Sequence, residues 1–269
     1  MKKGYKKISF DIMVILSPLL LFPFKKLVLS IGEIVANERL STESINIIKS
    51  GVKKNSLNIQ WIVILCLILL LYFKVRTNNK QKEFNFGNEY MNYPYWIFYL
   101  AGKVLGIKSI KLQLVPIYLQ AKIIISDTFS EILYQENLEN VDSKSTSKLI
   151  YNGSRTLTLV LEDTYLINEK QLSVNLRNTD ILRVTKGNLK ENVRNYSPNF
   201  IETIDSNIFK LEKKYQKINI CATTNTKHTF KIVSNNFKKG KRGDINSLVI
   251  YQQNRDQDRM FEKGYEIEL

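Results

Sequence analysis

Between Lys213 and Gly243 the chain carries nine basic side chains and no acidic one. Inside that stretch lies CATTNTKHTFK (221–231), which crowds hydroxyl, amide and ammonium groups around the turn Thr224-Asn225-Thr226-Lys227. Such donors hold phosphate oxygens and base edges. Thr224, Asn225, Lys227, His228, Lys231, Lys239 and Arg242 are therefore the candidate residues for an anionic ligand. On a strand from Thr229, the residues Thr229, Lys231 and Val233 share one face, and His228, Phe230 and Ile232 share the other. Either Lys231 and Thr229 meet the ligand while Phe230 packs the core, or Phe230 stacks a base. The plainer reading of the same charges is a solvated basic hairpin with a Lys-rich loop at 237–243 lying on anionic lipid.

Enzymatic motifs are missing. The chain has no Gly-rich phosphate loop, no nucleophile elbow and no His pair at metal spacing. One histidine and two cysteines in 269 residues exclude zinc fingers and disulfide scaffolds, so neither metal nor cofactor is expected. A lone histidine beside a turn, as His228 is, is more often a packing or surface residue than a catalyst. Glu162 and Asp163 are adjacent, so on a strand they point to opposite faces and share no substrate. Arg242-Gly243-Asp244 matches an adhesion tripeptide by coincidence. The expectation is a non-enzymatic protein.

The elements that would position these residues fall into two regimes. Net charge is +15, and residues 1–82 hold fourteen Lys/Arg against the four acids Asp11, Glu33, Glu38 and Glu43. That basic excess flanks two apolar runs, ISFDIMVILSPLLLFPF (8–24) and IQWIVILCLILLLYF (59–73). At 1.5 Å per residue they give about 25 and 22 Å of helix, short for a hydrocarbon core of ~30 Å but serviceable with Trp61, Tyr72 and flanking lysines as anchors. Both are read as transmembrane spans. No small-residue cleavage site follows the first, which argues against a signal peptide. A slight positive-inside bias places both termini and the large domain in the cytoplasm, at a bacterial inner membrane. Asp11 is the acid inside the spans, a functional intramembrane carboxylate or one that reaches the interface. Pro18 and Pro23 kink the first helix and free carbonyls for another helix, so Asp11, Pro18 and Pro23 are the membrane or pore candidates.

Three parts follow: a transmembrane hairpin at 1–76, a polar linker at 77–83 and a β-rich cytosolic domain at 84–269. A segment from Tyr93 to Gly106 reads as an interfacial helix or a core helix beginning at Pro94. Period-two alternation predicts strands from Ile110 through Ile125, and further strands at 149–151, 156–161, 172–176, 181–184, 218–223, 229–233 and 248–252. Capping-box spacing at Thr128–Glu131 predicts a short helix to about Leu138. Ser197 and Pro198 open a second helix with an apolar stripe of Phe200, Ile204, Ile208, Leu211 and Tyr215. After 252 comes a charged tail. The expected fold is mostly β, barrel-like or a curled antiparallel sheet, with two or three short helices.

On FDIMVILSPLLLFPF, IVILCLILLLYF and the alternating segment that begins IKLQLVPIYLQAKI, the chain resembles the two-transmembrane, β-strand-rich effectors of bacterial anti-phage signalling, the CBASS type and its relatives. The resemblance implies a small β-barrel that binds a cyclic oligonucleotide and membrane helices that oligomerise to disrupt the inner membrane. Membrane lipids, further copies of the chain and a cyclic oligonucleotide are then the partners, with no long nucleic acid. The competing expectation is a non-enzymatic subunit of a membrane machine (secretion, conjugation or envelope assembly) whose β-domain docks proteins.

Overall fold

A computed structural model describes residues 3–23, 30, 34, 56–84, 90–134, 141–148, 155–187, 189, 195–238, 243–254 and 258–269. The chain divides into two compact units, Met1–Phe86 with Leu100–Lys108, and Gly87–Tyr99 with Ser109–Leu269.

The first unit holds helix α1 (Lys3–Leu16), a 3-10 turn (Ser17–Leu21), helix α2 (Ser56–Asn79), the short strand β1 (Glu83–Phe84) and a π-helical turn (Leu100–Val104). Helix α1 packs along α2, and Ile8, Ile15 and Ile64 are buried. Phe10, Met13 and Leu20 on one side, and Ile62, Leu65 and Phe73 on the other, are exposed. Among the described residues one helix, over Trp61–Asn79, is long and apolar enough to cross a membrane, and 6 % of that window is buried. The first predicted span does not continue as α-helix to Phe24. Pro18 cannot donate to the carbonyl of Val14 and its ring clashes there. The Ser17 hydroxyl donates to Val14 O instead, at 2.8 Å, and the chain tightens into the 3-10 turn. The second helix runs past Phe73 to Asn79.

In the second unit, helix α3 (Tyr95–Tyr99) buries Ile97 and Phe98. Strand β2 (Ser109–Lys111) passes through helix α4 (Ile117–Ile125) to strand β3 (Glu131–Leu133), which pairs with β2 in parallel. The main sheet comprises β4 (Ser143–Lys148), β5 (Thr156–Glu162), β6 (Asp180–Lys186), β7 (Lys217–Ala222), β8 (Ser247–Gln253) and β9 (Phe261–Glu268), in the order β4-β6-β5-β7-β8-β9. Strands β6, β5, β7 and β8 run parallel, and β4 and β9 join the edges antiparallel. The connections hold α5 (Val174–Arg177), α6 (Pro198–Leu211) and α7 (Thr226–Asn236). Leu159 stands opposite both Leu182 and Ile220, and Ile220 opposite Ile250, so one apolar row crosses the parallel core. On one face Val160 and Cys221 pack with Ile167, Leu172, Leu176, Ile181 and Phe261. Helices α6 and α7 pack side by side, α6 against β4 and β6, and α4 against α7 and β8.

The mixture of sheet and several helices stands, but the predicted antiparallel barrel is replaced by a mixed sheet with a parallel core. Strands buried on both faces read as unbroken apolar runs rather than alternating ones; Leu159-Val160-Leu161 and Leu248-Val249-Ile250 are such runs. Three predicted strands are helical. Ile117–Ile125 forms α4 because Pro116 sets its start, and Leu119 with Ile123, and Gln120 with Ile124, satisfy a four-residue spacing as well as a two-residue one. At 172–176, Leu172 makes an isolated bridge to Phe261 and Val174 begins α5. Thr229–Val233 lies within α7, where Thr229, Ile232, Val233 and Asn236 are buried at helical spacing. There is no hairpin at 218–233, and Thr229 and Lys231 do not share a face.

The helix predicted from Thr128 is replaced at 131–133 by β3. The Thr128 hydroxyl is hydrogen-bonded to that of Tyr95 at 2.9 Å and caps nothing. The rest of that helix and the strand at 149–151 lie outside the described residues. The second predicted helix forms but ends at Leu211; Tyr215 leaves the stripe and its hydroxyl donates to Asp180 Oδ2 at 2.7 Å. The charged tail contributes β9, anchored by Phe261 and Ile267.

Gly243 explains the tripeptide match. Its φ is +58°, a Cβ there would lie 2.6 Å from the Glu212 carbonyl oxygen, and Asp244 N donates to that oxygen at 2.9 Å. Asp244 also pairs with Arg155 at 2.5 Å. Gly243→Ala is expected to cost at least about 1–2 kcal/mol, the left-handed penalty of an L-residue. A lowered melting temperature of the detergent-purified full chain checks this.

Candidate functional site

From β5 one connection leads to β6 on one side, and the next crosses to β7 on the other. Strand order thus reverses between β5 and β7, and the carboxyl ends at such a reversal are where sheets of this kind bind ligands. The residues after those two ends are Asp163 and Thr223-Thr224-Asn225.

Asp163 is the hub. Its Oδ2 accepts from Asn225 N at 2.8 Å and lies 2.6 Å from His228 Nδ1, and Lys186 Nζ lies 2.6 Å from Oδ1. His228 Nε2 accepts from Ser197 N at 2.8 Å. A backbone N–H can only donate, so Nε2 holds a lone pair and the proton sits on Nδ1, directed at Asp163. The ring is a neutral brace in a fixed tautomer. Asn225 caps α7: its Oδ1 accepts from His228 N at 2.8 Å and its Nδ2 donates to Asn195 O at 3.1 Å. Asp163, Lys186 and His228 are all buried. Burial opposes the Asp163 carboxylate, but the His228 hydrogen bond, the Asn225 amide and the Lys186 ammonium hold its pKa below the ordinary value.

The neighbouring acid points away, as adjacent strand residues must. Glu162 accepts from Ile167 N at 2.7 Å and Thr185 Oγ1 at 2.5 Å, and pairs with Arg183. Aromatic side chains lie beside the Asp163 cluster. Lys227 Nζ lies 4.0 Å from the ring centre of Tyr196 and 5.3 Å from that of Tyr134, and Tyr134 lies 5.9 Å from Phe230. Burial and the nearby Tyr134 raise the Tyr196 phenol. Burial also raises the Cys221 thiol beneath the sheet. Among the described residues no three His, Cys, Asp or Glu side chains converge as a metal site would require.

Of the residues singled out from sequence, Thr224, Asn225, Lys227 and His228 come together here. Thr224 shares a 2.8 Å hydroxyl contact with Thr229, and Lys231 is half-buried further along α7. Lys239 and Arg242 lie outside the described residues. In the first unit Asp11 is buried and accepts from Asn79 Nδ2 at 3.0 Å; Asn79 Nδ2 also donates to Leu105 O at 3.2 Å. Pro18 is buried in the 3-10 turn and Pro23 is exposed after it. Sequence reasoning missed Asp163 and Ser197 as partners of His228, and Lys186, Tyr134 and Tyr196 altogether. The available signal was Leu159-Val160-Leu161 running into an acid pair, the mark of a doubly covered strand ending at a site.

A model of the SMODS- and ubiquitin system-associated 2TM effector domain matches residues 2–268. No curated protein matches the chain. Among solved structures, the Acinetobacter baumannii Cap4 SAVED/CARF-domain containing receptor with the cyclic trinucleotide 3'3'3'-cAAA aligns with a TM-score of 0.49 at 10 % identity, covering 86 % of this chain and 63 % of the receptor. The same receptor with 2'3'3'-cAAA gives 0.46 at 10 % identity, covering 65 % and 42 %. The chain thus spans less than two thirds of the length of these receptor chains.

Asp163→Asn leaves Lys186 buried without its counter-charge, at an expected cost of about 3–5 kcal/mol. Because the Asp163 pKa is depressed in the fold, its contribution is complete at neutral pH and is lost as pH falls below the ordinary value of 3.8 through the folded one. Melting curves should show a wide gap between wild type and variant at pH 7 that narrows below about pH 4.

Proposed function

Because the chain belongs to the SMODS- and ubiquitin system-associated 2TM effector family, we propose that it is a membrane-anchored, non-enzymatic effector of bacterial anti-phage defence. Its sheet unit receives an anionic, nucleotide-type signal at the carboxyl edge of β5 and β7. Helices α1 and α2 sit in the inner membrane, with both termini and the sheet unit in the cytoplasm. Signal-bound copies associate through these helices and make the membrane leak. The observation that carries the reading is the strand-order reversal, which gathers Asp163, Lys186, Asn225 and His228 into one braced polar cluster beside cationic and aromatic side chains.

The parts divide the work by their chemistry. His228 and Asp163 have their polar atoms engaged within the fold, so they brace the site, and Lys227 beside them, with Lys231 one turn further along α7, supplies positive charge. Lys239 and Arg242 add basic charge in the same stretch. The exposed apolar side chains of α1 and α2 suit lipid, and the low burial of Trp61–Asn79 is the opposite of a soluble core helix. Asp11 meets Asn79, so the acid of the first helix enters an apolar surrounding with a partner. The signal acts by population shift: it favours the associated state only as far as it binds that state more tightly.

The full chain reconstituted in anionic liposomes is expected to bind 3'3'3'-cAAA or another cyclic di- or trinucleotide saturably and to release entrapped dye when it does. Lys231→Glu should reduce both responses while membrane insertion is unchanged. A folded, inserted chain that binds no cyclic nucleotide and releases no dye would overturn the proposal and favour a protein-docking subunit.

A further inference from the structure

We propose that Tyr196 and Tyr134 form an aromatic slot for a nucleobase, and that Lys227 leaves that slot to meet the ligand's phosphate. This rests on the nucleotide-signal reading above and adds how the base is held.

Lys227 projects from the first turn of α7, and its ammonium rests against two tyrosine faces, 4.0 Å and 5.3 Å from their centres. Attraction to the negative ring faces explains that resting position. A flat base stacks on a ring at roughly the carbon–carbon contact distance of 3.5–4 Å. The ammonium therefore occupies the layer that a base on Tyr196 would fill. Neither ring is a core side chain: Tyr134 is 37 % exposed and Tyr196 is half-buried. Phe230 extends the aromatic surface beyond Tyr134.

The slot is also firmly mounted. Tyr196 immediately precedes Ser197, whose N–H is held by His228, and its ring lies 5.2 Å from the imidazole. The buried network around Asp163 thus fixes one wall. Lys227 stands two residues after the Asn225 cap, at the start of the helix which that cap defines. When a base enters, the ammonium is displaced, and its flexible four-carbon stem lets it follow the phosphate attached to that base. A charge-assisted hydrogen bond replaces the cation–π contact.

Stacking reads the π-face and not the hydrogen-bonding edge, so the slot accepts any phosphate-bearing nucleobase and leaves the choice among bases to other contacts. The class of ligand is an aromatic base with an attached phosphate. A sugar phosphate without a base fills the charge but not the slot.

The test is binding to the full chain in nanodiscs, with 3'3'3'-cAAA and the cyclic di- and trinucleotides as probes and ribose 5-phosphate as the base-free control. Wild type should bind a nucleotide with hypochromism of the base absorbance and should bind ribose 5-phosphate far more weakly. Tyr196→Ala and Tyr134→Ala should each weaken nucleotide binding about tenfold or more, from the loss of a stacking partner. Tyr196→Phe and Tyr134→Phe should restore it, which separates stacking from damage to the fold. Lys227→Gln should weaken binding and reduce its salt dependence. Alanine variants that bind as wild type does would overturn the slot and leave the nucleotide reading intact. A phenylalanine variant no better than alanine would likewise overturn it. If wild type binds none of these nucleotides, both readings fall.

Discussion

One buried carboxylate holds the carboxyl end of the sheet together. Asp163 lies just beyond β5, yet it engages Lys186 at the end of β6, the backbone of Asn225 after β7 and the ring of His228 on α7. Through that ring it also reaches Ser197, where α6 begins. Three chain segments, at Lys186, Ser197 and Asn225–His228, are thus tied to the end of β5 through one side chain. Burial alone would push a carboxylate towards its neutral form. Here the surrounding donors reverse that tendency and favour the charged form. Tyr196, next to Ser197, and Lys227, two residues after Asn225, are mounted on that network.

The apolar unit obeys a different constraint. In lipid, each polar group needs a partner inside the protein. Asp11 finds Asn79, Ser17 supplies the donor that Pro18 cannot, and Arg76 donates to the carbonyls of Lys103 and Val104 at 2.9 and 3.3 Å. The last contact binds the end of α2 to the π-helical turn. Gly106 permits that approach: its φ is +75°, and a Cβ there would come within 2.5 Å of Arg76 Cγ. The segment Leu100–Lys108 belongs to the apolar unit although the chain on both sides of it belongs to the sheet unit. The chain therefore crosses between the two units three times, at 86/87, 99/100 and 108/109.

Several elements were legible because their signals are local. The second apolar helix announces itself by an unbroken run with no polar face, and α6 by Ser197, Pro198 and a stripe at helical spacing. Strands β5, β6, β7 and β8 follow from short β-branched and apolar stretches. Two of the helices that read as strands share one cause, which is that period-two and helical spacing coincide in short apolar segments. Ile117–Ile125 and Thr229–Val233 contain enough apolar residues to satisfy both, and burial against neighbouring helices decided for helix. Asn225 carries a correct local signal for the start of a helix, but the alternating residues that follow it make the same position read as the turn of a hairpin. Asp163 was correctly separated from Glu162 by strand geometry, yet its partner lies 65 residues away and nothing local links the two.

The apolar segments, the concentration of basic and hydroxyl residues between 213 and 243 and the lack of enzymatic motifs are legible in the chain alone, because composition and short spacing do not depend on the fold. Tertiary structure decided the direction of the strands and therefore the kind of sheet. A strand's sense depends on which crossover brings the chain back, and in a parallel core that is settled by packing on both faces. The same decision placed the ends of β5 and β7 side by side. It turned a solitary histidine into a brace for a buried carboxylate and brought two tyrosines, 62 positions apart in sequence, to the same lysine.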